Sequence, residues 1–452
     1  MDPRFSHHNT HLINPKEFAD RDPQLRYVAS QPYVYHSPLI AEFPLHIPGV
    51  YTLSGGRQIG KTTLLKQWML HLLQNGVNPR QIAFLSGELI QDHYTLIHLL
   101  QRQLEAMPSE AIKYLILDEV TYIKEWDKGI KYAKDAGMFD NTVVFLTGSD
   151  TGFLKEARMR FPGRRGKATR TDFHFYPLSF RETVFLKRGI TSKDDVPIEL
   201  LYQEFQAYLV HGGFMTAIND IAQHNAILAS TLTTYSDWIR GDILKRGKHE
   251  RYLREIILSV FKRYGSQVTW HSLAKEQSIE HPQTIIEYIS LLEEMDALYV
   301  QQALVEDELA AAPKKARKVY VADPFIYHAL YSWIHPENDP YNTQIKKLML
   351  DPTGTSQLVE ACVVTHFRRY WPTYYIKGNS GEVDVAYVKD KKFWPVEVKW
   401  TNQIHSHELQ QLEKYKNGLL LTKRKEAGLL GTIPTAPLPL SLFQLHSGIA
   451  SK

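Results

Sequence analysis

The sequence is poor in cysteine, because Cys362 is the single one among 452 residues. An intramolecular disulfide is therefore impossible, and a reducing compartment is the expected environment. Apolar runs long enough to span a bilayer are absent. The N-terminal letters MDPRFSHHNTHL lack the basic-then-apolar pattern of a secretory signal. From these absences we expect a cytoplasmic protein with no membrane partner.

A strong excess of one charge is also absent. Lys and Arg number 53 against 49 Asp and Glu, which gives a formal net charge of +4. The overall charge therefore does not require a nucleic acid partner, and any such partner must be argued from local clusters. The composition is 43% hydrophobic and 23% charged, as is typical of a globular chain. At this length we expect about two to four domains.

The part of the chain that begins near Pro48 alternates short apolar strands with amphipathic helices, which is typical of a parallel α/β sheet. The first forty residues show weak periodicity and are interpreted as an extended lead-in. The pattern predicts a helix at Thr62–Leu73 and strands at Val50–Ser54, Ile82–Ser86, Tyr114–Leu117 and Val143–Leu146.

After Tyr176–Pro177 the pattern becomes mostly helical, from about Ser179 to Gly247, with a glycine break at Gly212–Gly213. Three further helical patterns and a two-stranded hairpin then predict a winged helix, whose flexible wing tip is residues 306–317. These elements are Tyr252–Tyr264, Trp270–Gln277, Pro282–Glu294, Ala297–Leu304 and Ala316–Val321. The last segment predicts helices at Gln357–Arg368 and His407–Lys416, with strands at Thr373–Ile376, Glu382–Val388 and Phe393–Trp400 between them.

A nucleotide site is predicted by three polar segments that follow buried strands. Residues 55–62 read GGRQIGKT and fit GxxxxGK[ST], after a strand and at the start of a helix, as that motif requires. Backbone N–H groups there can cradle phosphates, and Lys61 can neutralise the β- and γ-phosphate oxygens. The residues predicted to bind ATP are Gly55, Gly60, Lys61, Thr62, Thr63, Asp118 and Ser149.

Magnesium and hydrolysis are predicted at the same place. Thr62 and Asp118 would hold Mg²⁺, Asp118 through water, and Glu119 would polarise the attacking water. Hydrolysis commonly needs an arginine as well, often from a neighbouring subunit. Arg164, Arg165 and Arg240 are candidates, but each reads equally well as a solvated surface arginine.

A second candidate site is predicted on two C-terminal strands. Glu397 and Lys399 share one face of a strand because side chains alternate, and Asp384 on the preceding strand can approach them. With Glu360 from a helix, the carboxylates of Asp384 and Glu397 would ligate Mg²⁺ or Mn²⁺, and Lys399 would position the nucleophile. The plain alternative is a surface ion pair on a half-exposed strand.

The chain resembles prokaryotic AAA-type ATPases whose C-terminal domain resembles PD-(D/E)xK nucleases. The resemblance extends from about Pro44 onward. It rests on the P-loop, on LILDEV and FLTGSD, on YPLSFRE at 176–182 and HGGF at 211–214, on KVYVADP at 318–324, and on the EVD and EVK strands. Gln411 and Tyr415 are similar to a QxxxY element of RecB-type nucleases, and Met215 stands where the family usually has proline.

The resemblance implies a multi-domain α/β architecture and specific roles for the C-terminal residues. Asp384 and Glu397 would be metal ligands, and Lys399 the catalytic lysine. After a lead-in (1–40) that lies outside the resemblance, the implied domains are a RecA-like P-loop core (41–178), a helical lid (179–250), a winged helix (251–338) and a restriction-endonuclease-like domain (339–452).

DNA is the partner that these domains favour, with a homo-oligomer or a protein partner left open. Basic side chains cluster in 240–254 and on the wing, and such clusters suit phosphate contacts. They are Arg240, Lys245, Arg246, Lys248, Arg251, Arg254, Lys314, Lys315, Arg317 and Lys318. Two functions remain: an ATPase coupled to metal-dependent DNA cleavage, or a nucleotide-dependent binding switch that grips DNA or protein without cutting.

Overall fold

The structure is a computed structural model that describes residues 2–148, 152, 165–192, 196–275, 278–279, 281–401 and 403–445. The chain divides into two compact units, Met1–Tyr176 and Pro177–Lys452. None of the helices in the described ranges combines the length and the apolarity that a bilayer crossing requires.

Unit 1 is built on a sheet whose strands are Gly49–Ser54 (β1), Ile82–Ser86 (β2), Lys113–Asp118 (β3), Thr142–Thr147 (β4) and Asp172–His174 (β5). Their order is β2-β3-β4-β1-β5, and all neighbours are parallel. The near-continuous apolar runs bury both faces of the central strands, as parallel sheets require. The predicted parallel α/β sheet is confirmed.

The helices of unit 1 are Phe18–Arg21 (α1), Pro23–Ala29 (α2), Lys61–Gln74 (α3), His93–Glu105 (α4) and Trp126–Asp135 (α5). α3 follows β1 directly and packs its Trp68 ring against Phe145 of β4, with the ring centroids 4.7 Å apart. This aromatic contact packs the middle of α3 against β4.

The lead-in segment supplies hydrogen-bond partners for backbone groups of β2, the outermost strand on its side of the sheet. The side-chain amide of Asn9 donates to the Phe84 carbonyl at 2.7 Å and accepts from the Phe84 N–H at 2.8 Å. His11 Nε2 lies 3.1 Å from the Ile82 carbonyl, and burial lowers the His11 pKa to about 4, so the neutral ring donates there. Asn9 thus takes the place of a neighbouring strand.

A buried ion pair ties the lead-in to α3. Lys66 Nζ lies 2.9 Å from Asp22 Oδ2, and both side chains are only 2% exposed. The same ammonium lies 4.2 Å from the centre of the Phe84 ring. Removing one partner of such a pair leaves an uncompensated buried charge, so the first forty residues are an integral part of unit 1.

Replacing Asn9 by alanine is expected to lower the opening free energy of β2 by roughly 2–4 kcal/mol, because two buried backbone groups of Phe84 lose their partner. Amide hydrogen exchange of a peptide that covers Ile82–Ser86, followed by mass spectrometry, measures this quantity. Asn14→Ala is the matched control, since Asn14 only caps a short turn in the same segment and its loss costs about 1 kcal/mol. Equal exchange in the two variants would contradict the role given to Asn9.

Unit 2 opens with helices and contains a small two-stranded sheet. The helices are Phe180–Arg188 (α6), Ile198–His211 (α7), Met215–His224 (α8), Ala229–Lys245 (α9), Glu250–Lys262 (α10), Trp270–Lys275 (α11), Pro282–Glu294 (α12), Pro324–Ile334 (α13), Lys346–Leu350 (α14), Pro352–Arg368 (α15) and Leu438–Gln444 (α16). Leu298–Gln302 (β6) pairs antiparallel with Arg317–Val321 (β9). Between them, Leu304–Val305 (β7) and Ala310–Ala311 (β8) form a short hairpin, of which β8 lies inside the predicted wing tip.

A mixed sheet ends unit 2. Its strands are Thr373–Gly378 (β10), Gly381–Lys389 (β11), Lys392–Lys399 (β12), Leu419–Thr422 (β13), Gly428–Leu430 (β14) and Ile433–Pro437 (β15). The order is β10-β11-β12-β13-β15-β14, with β12 and β15 each parallel to β13 and the other neighbours antiparallel. α15 packs against β10, β11 and β12, so Glu360 on that helix approaches the two strands that bear Asp384 and Glu397.

The helix predicted at His407–Lys416 is wrong. The structure has two 3₁₀ turns there, Ser406–Leu409 and Leu412–Lys414. Leu409 and Leu412 are both buried against the mixed sheet. Their spacing of three residues fits a 3₁₀ turn as well as an α-helix, so the apolar pattern alone could not distinguish the two. Gly418 then turns the chain into β13.

Three sequence motifs meet at one point in unit 2, which we call the glycine junction (Leu178, Gly212, Gly213 and Asp323). The Gly213 N–H donates to Asp323 Oδ2 at 2.9 Å, and the Leu178 N–H donates to the Gly213 carbonyl at 2.9 Å. Asp323 Oδ1 also caps α13 by accepting the Phe325 N–H at 2.8 Å. Burial raises the Asp323 pKa to about 6. YPLSFRE, HGGF and VADP therefore build structure here.

Candidate functional site

The P-loop of unit 1 connects β1 to α3 through backbone conformations that suit glycine. Gly60 has φ +99°, and Gly55 has φ +151° with the Phe175 carbonyl oxygen 2.3 Å from where a Cβ would lie. Gly60 is the N-cap of α3 and supplies no side-chain hydrogen bond to the first helical N–H groups. Lys61 Nζ donates to the carbonyls of Gly55 and Gly56, each at 2.9 Å, so this lysine folds over the loop.

The strand order brings the second polar segment to the P-loop. β4 lies between β1 and β3, so Thr147 at its carboxyl end stands between the two segments. The Thr62 hydroxyl donates to Asp118 Oδ2 at 2.8 Å, and the Thr147 hydroxyl donates to Asp118 Oδ1. Asp118 is 6% exposed. Sequence reasoning chose Ser149 as the ATP-binding residue of this segment and did not foresee that Thr147 binds Asp118.

Glu119 has a left-handed backbone with φ 53°. Its N–H donates to Thr147 Oγ1 at 2.9 Å, and its carbonyl oxygen lies 2.3 Å from where a Cβ of Gly87 would stand. The strained conformation is thus held from both sides. Strain of this kind costs about 1–3 kcal/mol and persists where the surroundings fix it, commonly at functional sites.

These residues fit a phosphate group and Mg²⁺. The glycine cradle and the uncapped start of α3 offer N–H donors to phosphate oxygens, and Lys61 offers a positive charge beside them. The hydroxyl of Thr62 and the carboxylate of Asp118 are hard oxygen donors within hydrogen-bond distance of each other, which is the ligand chemistry that Mg²⁺ prefers.

Other residues predicted for the nucleotide site have different surroundings. Thr63 Oγ1 accepts a hydrogen bond from Gln24 of the lead-in at 2.8 Å. Ser149 and Arg164 lie outside the described residues. Arg165 pairs with Asp172 in unit 1, and Arg240 pairs with Asp237 and Glu250 in unit 2. Both described arginine candidates are therefore already engaged within their own units.

Three of the C-terminal candidate residues, Glu360, Asp384 and Lys399, help to line a cavity of about 740 Å³. Lys399 Nζ lies 2.9 Å from Glu397 Oε1. The Val398 N–H donates to Asp384 Oδ2 at 3.0 Å, and the Asp384 N–H donates to Glu397 Oε2 at 3.3 Å. The structure thus brings Asp384, Glu397 and Lys399 together on the β11–β12 hairpin.

Burial and like charge perturb the acids of this cluster. Burial, reinforced by the Asp384 charge, raises the pKa of Glu397 well above its usual value and also raises the pKa of Glu360. Burial opposes the charged form of Lys399, but the Glu397 and Asp384 charges outweigh it and raise the Lys399 pKa. Lys399 is therefore held as an ammonium.

A lysine that sequence reasoning assigned to the wing surface lies inside this cluster. Lys318 Nζ is 2.8 Å from Glu360 Oε1 and 3.6 Å from Asp384 Oδ1, and it also pairs with Glu382. Its side chain is 3% exposed. The expectation that Lys318 contacts DNA is wrong, because β9 directs this side chain into the protein. Glu382 was missed, although strand alternation places it on the face of Asp384.

In this arrangement the C-terminal residues do not fit a metal ion. Across the described part of the chain, no three or more His, Cys, Asp and Glu side chains form a group that could hold one. Glu397 is turned towards Lys399, while Glu360 and Asp384 are turned towards Lys318. Two ammonium groups take the positions beside these carboxylates.

The Gln411–Tyr415 pair is formed without the expected helix. Gln411 Nε2 donates to the Tyr415 hydroxyl at 3.1 Å, and that hydroxyl donates to Glu306 Oε1 at 2.8 Å. A Cβ at Gly378 would lie 2.2 Å from Gln411 Oε1, so the small residue at the end of β10 lets Gln411 approach closely. The pair links the last 3₁₀ turns to β10 and to the segment before β8.

The basic cluster at 240–254 is largely neutralised within unit 2. Arg246 pairs with Glu294, Lys248 with Glu287, and Arg251 with Glu255. Arg254 donates to the carbonyls of Trp333 and Ile334. On the wing, the Arg317 guanidinium stacks over the Trp270 ring at 4.4 Å. Much of the expected positive surface is therefore used to hold helices together.

Two family descriptions match separate parts of the chain. Residues 48–184 match a family described as AAA domain, and residues 202–337 match a domain of unknown function, DUF8612. The first match contains β1–β5, the P-loop, Asp118 and Glu119.

Curated relatives match part of the chain. An uncharacterized protein of Haemophilus influenzae is 27% identical over 264 residues, which cover 55% of this chain and 61% of the relative. The uncharacterized protein MJ1544 of Methanocaldococcus jannaschii is 28% identical over 163 residues, 34% of this chain and 35% of the relative. The matches thus span less than two thirds of either relative's length.

Solved structures with similar folds include the Walker-type ATPase PABY2304 of Pyrococcus abyssi, which is 16% identical with a TM-score of 0.42 and covers 70% of this chain and 95% of that one. Cdc6p from Pyrobaculum aerophilum is 11% identical with a TM-score of 0.26 and covers 71% and 93%. The family match and the geometry of its motifs agree on one segment. Residues 48–184 are an AAA-type P-loop ATPase-like domain.

Proposed function

We propose that this protein binds and hydrolyses ATP with Mg²⁺ and uses its nucleotide state to control the C-terminal region. The observation that supports the proposal best is the bridge Thr62–Asp118–Thr147 beside the folded-over Lys61. It assembles the P-loop, the acidic strand end and the intervening strand into one polar site.

Each residue of this site has a defined task in the proposal. Bound Mg²⁺ would neutralise phosphate charge, held by Thr62 and by Asp118, which Thr147 orients. Lys61 exchanges its two carbonyl partners for phosphate oxygens, and the N–H groups of Gly55–Gly60 and of α3 line the phosphates. Glu119 polarises the attacking water, and Ser149 completes the contact to the terminal phosphate.

For the C-terminal region we propose a winged helix built from α10–α12 with β6 and β9, followed by a PD-(D/E)xK-like domain built from α15 and β10–β15. DNA is the proposed partner. The adjacency of Asp384, Glu397 and Lys399 favours Mg²⁺- or Mn²⁺-dependent cleavage in an arrangement in which the carboxylates have left their ammonium partners. The ion pairs of Lys318 favour the second candidate, a nucleotide-dependent switch that binds DNA or a protein without cutting.

The test uses the full chain with linear, circular and branched DNA, Mg²⁺ or Mn²⁺, and with or without ATP. Lys61→Ala is expected to lower ATP turnover at least about 100-fold, because a preorganised charge beside the phosphates is lost. If the C-terminal region cuts, Lys399→Ala abolishes cleavage and leaves ATP turnover within about twofold, since Lys399 belongs to unit 2 and the P-loop to unit 1.

Two surface lysines serve as matched controls, Lys131→Ala on α5 for the ATP site and Lys392→Ala on β12 for the C-terminal strand. Unchanged ATP turnover in Lys61→Ala would refute the nucleotide site. Salt-dependent DNA binding that Lys399→Ala leaves intact, with no DNA products in any metal, would decide for the non-cutting switch.

A further inference from the structure

Lys318 is the central charge of a buried cluster in unit 2. Its ammonium contacts the carboxylates of Glu360 on α15 and of Glu382 and Asp384 on β11, while Lys318 itself comes from β9 of the small sheet. The Tyr320 hydroxyl, two residues along β9, donates to the same Glu360 oxygen at 2.6 Å. Two side chains of β9 therefore bind the carboxylates that α15 and β11 supply.

The same carboxylates border the C-terminal cavity. Glu360 and Asp384 line it together with Lys399. Each of these acids thus has one side towards the cavity and one oxygen engaged by Lys318. A divalent cation that entered the cavity would need the negative charge that Lys318 already neutralises. At such short separations the repulsion between the ammonium and a doubly charged ion is large even at the effective dielectric constant of about 20 used for protein sites.

We propose that Lys318 is an internal counter-cation that competes with a divalent metal ion for Glu360 and Asp384, and so keeps the C-terminal cluster metal-free. This inference rests on the proposed PD-(D/E)xK-like site and describes how metal binding at that site would be regulated. Metal binding at Glu360, Asp384 and Glu397 then requires the Lys318 side chain to leave the cluster. The position of β9 therefore controls whether the C-terminal cavity can hold Mg²⁺ or Mn²⁺.

The experiment measures Mn²⁺ binding to the nucleotide-free full chain, by electron paramagnetic resonance of free Mn²⁺ and by isothermal titration calorimetry. Lys318→Met keeps the length of the side chain and removes its charge. We expect it to bind Mn²⁺ at least about tenfold more tightly than the unsubstituted chain, because the repulsive charge is gone. Lys314→Met makes the same change on the exposed part of the wing and is expected to bind as the unsubstituted chain does.

The gained binding must depend on the carboxylates that Lys318 holds. Adding Asp384→Asn to Lys318→Met is expected to return Mn²⁺ affinity to that of the unsubstituted chain, which excludes binding at the P-loop. Should Lys318→Met fail to fold by circular dichroism, Lys318→Met/Glu382→Gln removes one charge of each sign and retains Glu360, Asp384 and Glu397. The same tenfold gain is expected of it.

Equal Mn²⁺ affinity in the unsubstituted chain and in the folded Lys318 variant overturns the proposal. DNA cleavage reports separately on the proposed function. Tighter Mn²⁺ binding without cleavage upholds the role of Lys318 and refutes the nuclease. Cleavage by the unsubstituted chain, with Mn²⁺ affinity that Lys318→Met does not raise, upholds the nuclease and refutes the role of Lys318.

Discussion

Glu119→Gln is expected to lower ATP turnover by about 1000-fold and to leave ATP binding within about threefold. Glutamine keeps the size and the polarity of the side chain but cannot draw a proton from water, and positioned acid–base groups contribute about 10²–10⁴-fold. The backbone should not move, because the Glu119 N–H bond to Thr147 and the left-handed φ of 53° do not involve the carboxylate. Steady-state phosphate release and equilibrium binding of ATP measure the two quantities.

Glu125 offers a closely matched control for this prediction. It also has a left-handed backbone, with φ 54°, and lies six positions further along the chain. Its carboxylate, at the start of α5, pairs with Lys128 of α5 and with His93 of α4, and it has no place in the polar site around Asp118. Glu125→Gln is expected to hydrolyse ATP within about twofold of the unsubstituted chain. A turnover of Glu119→Gln that matched this control would exclude Glu119 as the residue that activates water.

Gly213→Ala is expected to lower the free energy of unfolding of unit 2 by more than about 4 kcal/mol, a loss that single substitutions cause only when they severely disrupt the packing. An added Cβ would lie 2.1 Å from the Leu178 carbonyl oxygen and 2.5 Å from the Leu178 nitrogen. Both are backbone atoms that the Leu178–Gly213 hydrogen bond holds in place, so the clash cannot be relieved by a side-chain rotation. Thermal unfolding and limited proteolysis of the full chain measure the effect, with early cleavage expected in unit 2.

Gly241→Ala is the control of opposite sign in the same unit. Gly241 lies inside α9, and an added Cβ meets no atom within 4 Å. Alanine there is expected to stabilise the helix by roughly 0.5–1 kcal/mol because the unfolded chain loses freedom. If Gly213→Ala unfolded at the same temperature as Gly241→Ala, the glycine junction would not be the point that organises unit 2.

The α/β sheet and the polar site of unit 1 were predictable from the sequence because their signals are local. A buried parallel strand reads as an apolar run, as in Val143–Leu146, and its carboxyl end marks the ligand edge of the sheet. The position of β4 between β1 and β3, however, depends on contacts between residues that are far apart in the sequence. Without it, the hydrogen bond that turns Thr147 towards Asp118 could not be foreseen.

The C-terminal cluster shows where local signals end. Strand alternation was sufficient to group Asp384, Glu397 and Lys399, and it could have added Glu382. Lys318, by contrast, stands in a run of basic residues that reads as solvent-exposed. Lys318 is buried because β9 packs near α15 and β11. Its partner Glu360 lies more than forty positions further along the chain, so no local pattern connects the two residues. The ion pairs of Arg246 and Lys248 were hidden for the same reason.

The Asn9 contact on β2 has a consequence for how copies of this chain can associate. An exposed edge strand is a template on which a second chain can add a strand, which leads to uncontrolled assembly. At Phe84 the template is already occupied by a side-chain amide of the same molecule, and Lys66 and Asp22 hold the surrounding segment down. Removal of the segment that contains Asn9 would therefore expose the backbone of the edge strand β2. Truncated chains should then aggregate under conditions in which the full chain remains in solution.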